Sequence, residues 1–364
     1  MNPTNPMNPI AAVTHPDPYP FYADLVARKP LYRDEELQMW VASSAEAVTA
    51  VLSSELCRVR PPAEPVPVAL LGSPAGEIFR HLVRMNDGAG HCPFKQAVTG
   101  ALDAVEPARV GAESRRWAER LEISPLADFA FGLPVAVVAS LLGLPEDTLP
   151  PTISWMRSFV PAITPGCGPE ALERGKEAAG RLLDLFLSFL RTSSATGLLA
   201  TLAQEARRVG RDDENVIAAN AIGFMVQAHD ATAGLIGNTL IALASHPTDP
   251  SRLAEAIQET LRFDPPVQNT RRFVAQDGIV AGQMMRAGDA ILVVLAAANR
   301  DPANQERRIF TFGAGLHACP GEKLAATIAQ AGIERLLLGG LDPARFAAAR
   351  SYRPSANARI PFVA

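Results

Sequence analysis

One stretch of helical spacing, residues 213–245, limits the fold more than anything else in this chain, because no proline interrupts it until Pro247. Asp212 and Asp213 stand where the positive N-terminal end of a helix favours acidic side chains. At 1.5 Å per residue such a helix runs on the order of 50 Å, the width of a whole domain. A chain built around it has to be largely helical, with shorter elements laid along it. Of the 364 residues, 48% are hydrophobic, which is enough for a large core, and only 6% are aromatic, so that core is mostly aliphatic.

Helical spacing recurs over 19–28, 43–52, 93–105, 111–121, 126–142, 153–163, 169–191, 251–263 and 322–338. A strand is predicted over 39–41. Residues 60–74 include PPAEPVPVALLGSP, where proline removes backbone donors and restricts its neighbours, so an ordered loop is expected there. Over 272–298 the period changes: Val280, Met284, Met285 and Ile291 alternate with Ala281-Gly282 and Ala287-Gly288 turns, which reads as short strands. No internal repeat or low-complexity linker separates these parts. The expected fold is mainly α with a small β part, one catalytic domain over 1–364 with a loose start over 1–14.

Several function classes drop out. Lys and Arg number 34 against 38 Asp and Glu, a formal charge of −4, which argues against a nucleic-acid or anionic-membrane binder. Cys57, Cys92, Cys167 and Cys319 form no C-x-x-C pair and no zinc spacing, so a reducing, cytoplasmic setting is expected. Residues 1–15 are polar and rich in Pro and Asn, unlike a secretory signal. Apolar runs such as 290–298 fall far short of the roughly 20 residues a bilayer span needs.

The chemistry concentrates in FGAGLHACPG, residues 312–321. Gly313, Gly315 and Gly321 permit positive φ and let a flat group approach the main chain. Cys319 just precedes a helix, where free amides and the helix's positive end favour a thiolate. A thiolate so placed suits an iron ligand. The pattern F-G-x-G-x-H-x-C-x-G closely resembles the haem-ligand loop of the cytochrome P450 superfamily, the haem-thiolate monooxygenases. That resemblance implies the P450 fold around haem b, with Cys319 as the metal ligand that pushes electron density to iron. It places Phe312 beside the ligand, His317 on a haem propionate, and Gly321 in the cofactor loop.

Three further segments resemble the family in the same order. Glu259-Thr-Leu-Arg262, an E-x-x-R set one helical face wide, is followed by Pro265-Pro266-Val267 and by Arg271-Arg272. The resemblance makes Glu259 and Arg262 a structural lock formed by an ion pair, and Arg272 a propionate ligand. Asp87-Gly-Ala-Gly-His91-Cys-Pro-Phe-Lys95 matches a segment that usually reads H-x-x-x-R, so His91 and Lys95 become propionate contacts, with lysine a point charge in place of a planar fork. The long helix carries Gln227-Ala-His-Asp230-Ala231-Thr232 where the family often reads A-G-H-E-T-T. Asp230 takes the acid position. Ala231 replaces the alcohol that helps deliver protons at the distal face, and Thr232 lies one residue on, about 100° around the helix. A substrate hydroxyl or ordered water, direct use of peroxide, or a reaction without oxygen insertion would each account for the change, and the first is preferred.

Opening residues His15-Pro-Asp-Pro-Tyr-Pro-Phe-Tyr and Asn299-Arg-Asp-Pro302 extend the likeness over nearly the whole chain. Two connections are shorter than usual, one between Asn238 and Glu259, the other between Asp301 and Phe312, close to where the electron donor normally docks. The resemblance implies a small organic, secondary-metabolite substrate, with electrons from NAD(P)H through a ferredoxin and ferredoxin reductase. It also implies a monomer. Asp230 and Thr232 are the catalytic candidates. Alternatives are a peroxygenase, dehydratase or isomerase, or a haem sensor without turnover. Expected pocket walls come from 66–71, Phe159, Ile163, Phe224, Gln227, Ala228 and 267–269.

Overall fold

A computed structural model describes residues 7–88, 91–192, 194–247, 249–347 and 351–362. In chain order its helices are α1 (Tyr19–Arg28), α2 (Ala45–Ser53), α3 (Pro74–His81), α4 (Cys92–Asp103), α5 (Pro107–Leu121), α6 (Leu126–Leu142) and α7 (Leu149–Ala162). They continue as α8 (Pro169–Arg191), α9 (Gly197–Arg208), α10 (Glu214–Ser245), α11 (Leu253–Phe263), α12 (Leu295–Asn299) and α13 (Glu322–Leu338). The strands are β1 (Leu31–Asp34), β2 (Met39–Ala42), β3 (Cys57–Arg58), β4 (Thr270–Val274), β5 (Gly278–Val280), β6 (Gln283–Met285) and β7 (Ala290–Val293). The expected mainly α fold with a small β part is the observed one.

Two compact units form. The first gathers Met1–Pro62, Gly234–Cys319 and Gly340–Ala364. Its sheet runs β1-β2-β7-β4-β3, with β2 and β7 parallel and the remaining pairs antiparallel. Alternation gives the sheet two apolar faces. Val41 and Leu292 pack with Tyr22 and Leu25 of α1, while Ala42, Ile291, Val293 and Val274 pack with Val48 and Val51 of α2. A separate hairpin joins β5 to β6 through Ala281 and Gly282, both at positive φ, the backbone such a two-residue turn requires.

The chain's start corrects the expectation of a loose segment over 1–14. Residues 1–6 lie outside the described residues, but Ala12 and Val13 are fully buried in a 3₁₀ turn. Fully buried Arg359 holds this part: its guanidinium donates to the carbonyls of Val13, His15 and Pro16, pairs with Asp264 at 2.7 Å, and lies 3.6 Å from the Tyr352 ring centre.

The second unit, Ala63–Ala233 and Pro320–Gly339, is helical. At its centre α6 is apolar nearly all round, from Phe129 to Leu142, and packs against α5, α7 and α13. The long helix is 32 residues, and Asp213 caps it by accepting from the Asn215 N–H at 2.8 Å. Two helices were not expected. Pro74 opens α3 instead of closing the proline-rich loop, because Ser73 accepts from the Gly76 N–H and proline at the first helical position gives up no needed donor. In α9, Leu198, Leu199, Leu202 and Ala206 are buried.

Candidate functional site

In the first unit the segment 310–319 folds back on itself. The Gly313 N–H donates to Phe310 O at 2.7 Å, Ala318 N–H to Gly315 O at 3.1 Å, and Cys319 N–H to Phe312 O at 2.8 Å. Gly313 and Gly315 sit at φ of 69° and 63°, so two of the three expected glycines supply left-handed backbone. Gly321 does not: at φ −97° it caps α13 in a conformation open to other residues. Phe310 and Ala314 are buried among Val48, Val51, Leu52 and Val274, whereas Leu316, Ala318 and Cys319 are exposed. The base of the loop is therefore anchored and its tip, carrying the exposed Cys319, is open.

Arg272 is buried on β4 and faces Ile291 across the ladder, which puts it on the sheet face that also carries Val274 and the loop's apolar base. Its Nη1 donates to Arg271 O at 2.8 Å. Arg271, on the opposite face, is half-buried.

The short connection before the cysteine loop is closed by buried amides and a carboxylate that the sequence did not single out in these roles. Asn299 Nδ2 donates to Leu261 O at 3.2 Å and to Thr311 Oγ1 at 2.9 Å, while its Oδ1 accepts from the Phe310 N–H at 2.6 Å. Asp301 accepts from the N–H groups of Ala45 (2.7 Å) and Ala303 (2.8 Å). Asn304 exchanges bonds with the Arg308 backbone at 2.8 and 3.0 Å. The Arg300 guanidinium stacks 3.7 Å from the Tyr19 ring centre.

The expected Glu259–Arg262 ion pair does not form. Glu259 is exposed and its field acts on Arg252, while Arg262 reaches across to Arg307 O at 3.3 Å. Burial, helped by the Arg307 charge, holds the Arg262 pKa below its ordinary value.

In the second unit His91 is buried at the start of α4, and Lys95, half-buried, follows one turn later with its N–H on His91 O at 2.8 Å. Residues four apart share a helix face, so both side chains project from one side. Ala89 and Gly90 of the same segment lie outside the described residues. On α10, His229 is buried against Phe131, ring centres 4.9 Å apart, and its Nδ1 meets Asp230 Oδ1 at 2.7 Å. The Asp230 side chain keeps 41% of its surface. Thr232 is fully buried, and its Oγ1 has no partner among the described residues. Two residues apart, Asp230 and Thr232 are separated by about 200° around the helix, so they do not converge on one point.

Several expected pocket walls are core instead. Val66, Leu70 and Phe159 are buried. Gln268 Nε2 and Asn269 Nδ2 donate to the backbone, to Pro265 O at 2.7 Å and Ala356 O at 2.9 Å. Phe224, Ala228 and Ile163 are half-buried and Gln227 is exposed.

No protein-family model matches the chain. Similarity to individual proteins is extensive. The biotin biosynthesis cytochrome P450 of Bacillus subtilis is 24% identical over 353 residues, 88% of either chain. The 20-oxo-5-O-mycaminosyltylactone 23-monooxygenase of Streptomyces fradiae is 28% identical over 357 residues, 87% of this chain and 81% of that one. The solved structure of P450 RauA, 24% identical, superposes with a TM-score of 0.79 over 98% of this chain and 97% of its own. Similarity over nearly the whole chain supports the bacterial cytochrome P450 superfamily, and the fold is that of P450 structures. The chain is accordingly a haem-thiolate oxidoreductase of the monooxygenase type, acting on a small molecule. An accessible cysteine on a glycine-braced loop fits the cofactor such a P450 carries, and the buried Arg272 on the same sheet face suits a carboxylated macrocycle. No helix among the described residues is long and apolar enough to cross a membrane.

Proposed function

We propose that this P450, acting over its whole length as one catalytic domain, inserts one oxygen atom from O2 into a small organic substrate of secondary metabolism. Electrons come from NAD(P)H through a ferredoxin and its reductase. The observation that carries the reading is the braced loop that holds the Cys319 thiol open while burying its own base. Haem bound there supplies dioxygen activation; the residues supply ligation, orientation and protons. Cys319 would supply the thiolate that holds the iron, in a setting where the start of α13 favours the charged form. Phe312 packs beside it and Gly321 ends the loop. His317, Arg272, His91 and Lys95 hold the propionates.

Asp230, with an accessible carboxylate beside His229, draws protons from water. Ala231 leaves the adjoining position without a hydroxyl, so a substrate hydroxyl or an ordered water completes the relay. Thr232, turned to the far side of the helix, contributes a buried hydroxyl that has no protein partner. Turnover with ferredoxin, reductase, NADPH and O2 is the expected result. Product formed with peroxide alone would move the protein to the peroxygenase class. Ala231→Thr is expected to leave coupled turnover unchanged or lower it, measured as product per NADPH consumed; a large gain would contradict a relay completed by the substrate.

A further inference from the structure

Where α11 ends, the short connection over 300–308 gathers arginines around one exposed ring. Phe263 keeps 40% of its surface. The Arg262 guanidinium lies 5.5 Å from its ring centre and that of Arg300 5.3 Å, and Arg300 Nε donates to Phe263 O at 2.9 Å. Arg300 is held in turn by the Tyr19 ring, 3.7 Å away. Arg262 Nη1 reaches Arg307 O at 3.3 Å, while its Nε is buried with no partner among the described residues. Arg308, exposed, lies 5.2 Å from the Phe310 ring centre. All of these residues belong to the first unit.

Charges of one sign gathered this closely repel. Among the described residues, no carboxylate stands within ion-pair distance of Arg262, Arg300, Arg307 or Arg308. The neighbouring acids are spent or turned to solvent. Asp264 is taken by Arg359 and Tyr19, and Asp301 by the N–H groups of Ala45 and Ala303, while Glu259 and Glu306 are exposed. Surface arginines elsewhere are matched, Arg116 and Arg120 by Glu146 and Arg252 by Glu255, and α4 carries Lys95 as its only cation. Arg307 also keeps a left-handed backbone, φ 54°, which a residue with a Cβ adopts at a cost. Strain of this kind is concentrated where a protein binds or reacts.

We propose that Arg262, Phe263, Arg300 and Arg307 form the docking surface for the electron-carrier protein, and that this carrier is acidic. Arginines and an aromatic anchor are the groups that dominate binding at protein interfaces, and a carboxylate-rich partner supplies the charges this patch lacks. The place suits electron entry. Leu261 O accepts from Thr311 Oγ1 at 2.7 Å, and Phe312 O accepts from the Cys319 N–H at 2.8 Å, so two hydrogen bonds and a few covalent links join the residue before Arg262 to the cysteine. Each docking passes one electron from the reduced carrier to the P450, with no atom exchanged. This inference rests on the P450 reading and deepens it by naming where, and by what charge, the partner binds.

The test is binding of an acidic [2Fe–2S] ferredoxin to the haem-loaded protein, followed by titration calorimetry with the ferredoxin oxidised so that no turnover occurs. Affinity is expected to fall at least about tenfold between low and high salt. Arg307→Glu, on an exposed side chain, should weaken binding at least about fivefold and Phe263→Ala about tenfold, each with the thiolate band under carbon monoxide retained. Glu306→Gln should tighten it. Arg109→Glu, the same charge change on an exposed residue of the second unit, should alter it less than about twofold. Reduction by the reduced ferredoxin should slow in the same order, while reduction by dithionite stays unchanged. Binding weakened no more by Arg307→Glu than by Arg109→Glu, an affinity indifferent to salt, or a wild type that does not bind the ferredoxin would each overturn the proposal. A wild-type protein lacking the thiolate band would instead sink the parent reading.

Discussion

The segment leading to the cysteine, residues 299–319, and the middle of α10 treat their polar groups in opposite ways. In the first, Asn299, Asp301, Asn304 and Thr311 are buried, and each is hydrogen-bonded to main chain or to one another. In the second, the Thr232 hydroxyl is buried and has no partner among the described residues. Buried polar groups left unsatisfied are rare in folded proteins, so those that remain mark places a ligand or water completes. The ligand loop is finished by folding. The other region is finished by what binds.

Breaking the finished region should have the largest effect. Asn299→Leu strands the Phe310 N–H, removes two bonds to Leu261 O and Thr311 Oγ1, and should destabilise by about 2–4 kcal/mol, seen as a lower midpoint in thermal unfolding. A loss under about 1 kcal/mol would show that the short connection does not depend on its buried amide. Gly313→Ala forces a side chain onto φ 69° with His317 O only 3.3 Å from the new carbon, and should cost about 1–2 kcal/mol, read by denaturant unfolding and by faster haem loss. The smallest effect belongs to the unfinished region. Thr232→Val removes a hydroxyl that contributes no bond, so without substrate the stability should stay the same or rise by up to about 1 kcal/mol. A clear loss would place a bond on that oxygen and weaken the contrast.

Local signals were legible in the sequence. The spans 126–142, 169–191 and 322–338 match α6, α8 and α13 at both ends, since apolar spacing and nearby Gly or Pro define them within a few residues. So was the cysteine loop, with two of its three expected glycines at positive φ. What escaped depends on distant chain. Arg262 abandons Glu259 for a carbonyl 45 residues away, a choice that no helical spacing reveals. Phe159 and Gln268 look like pocket walls until packing buries them. The Pro74 start of α3 was within reach, because Ser-Pro followed by Glu77 is itself a helix-opening pattern.

Cys319 as the iron ligand is tested most directly by the spectrum of the reduced protein under carbon monoxide. Wild type is predicted to give the red-shifted thiolate Soret band, and Cys319→Ser to lose it while staying folded. A wild-type protein without the band, or a serine variant that keeps it, would contradict the assignment.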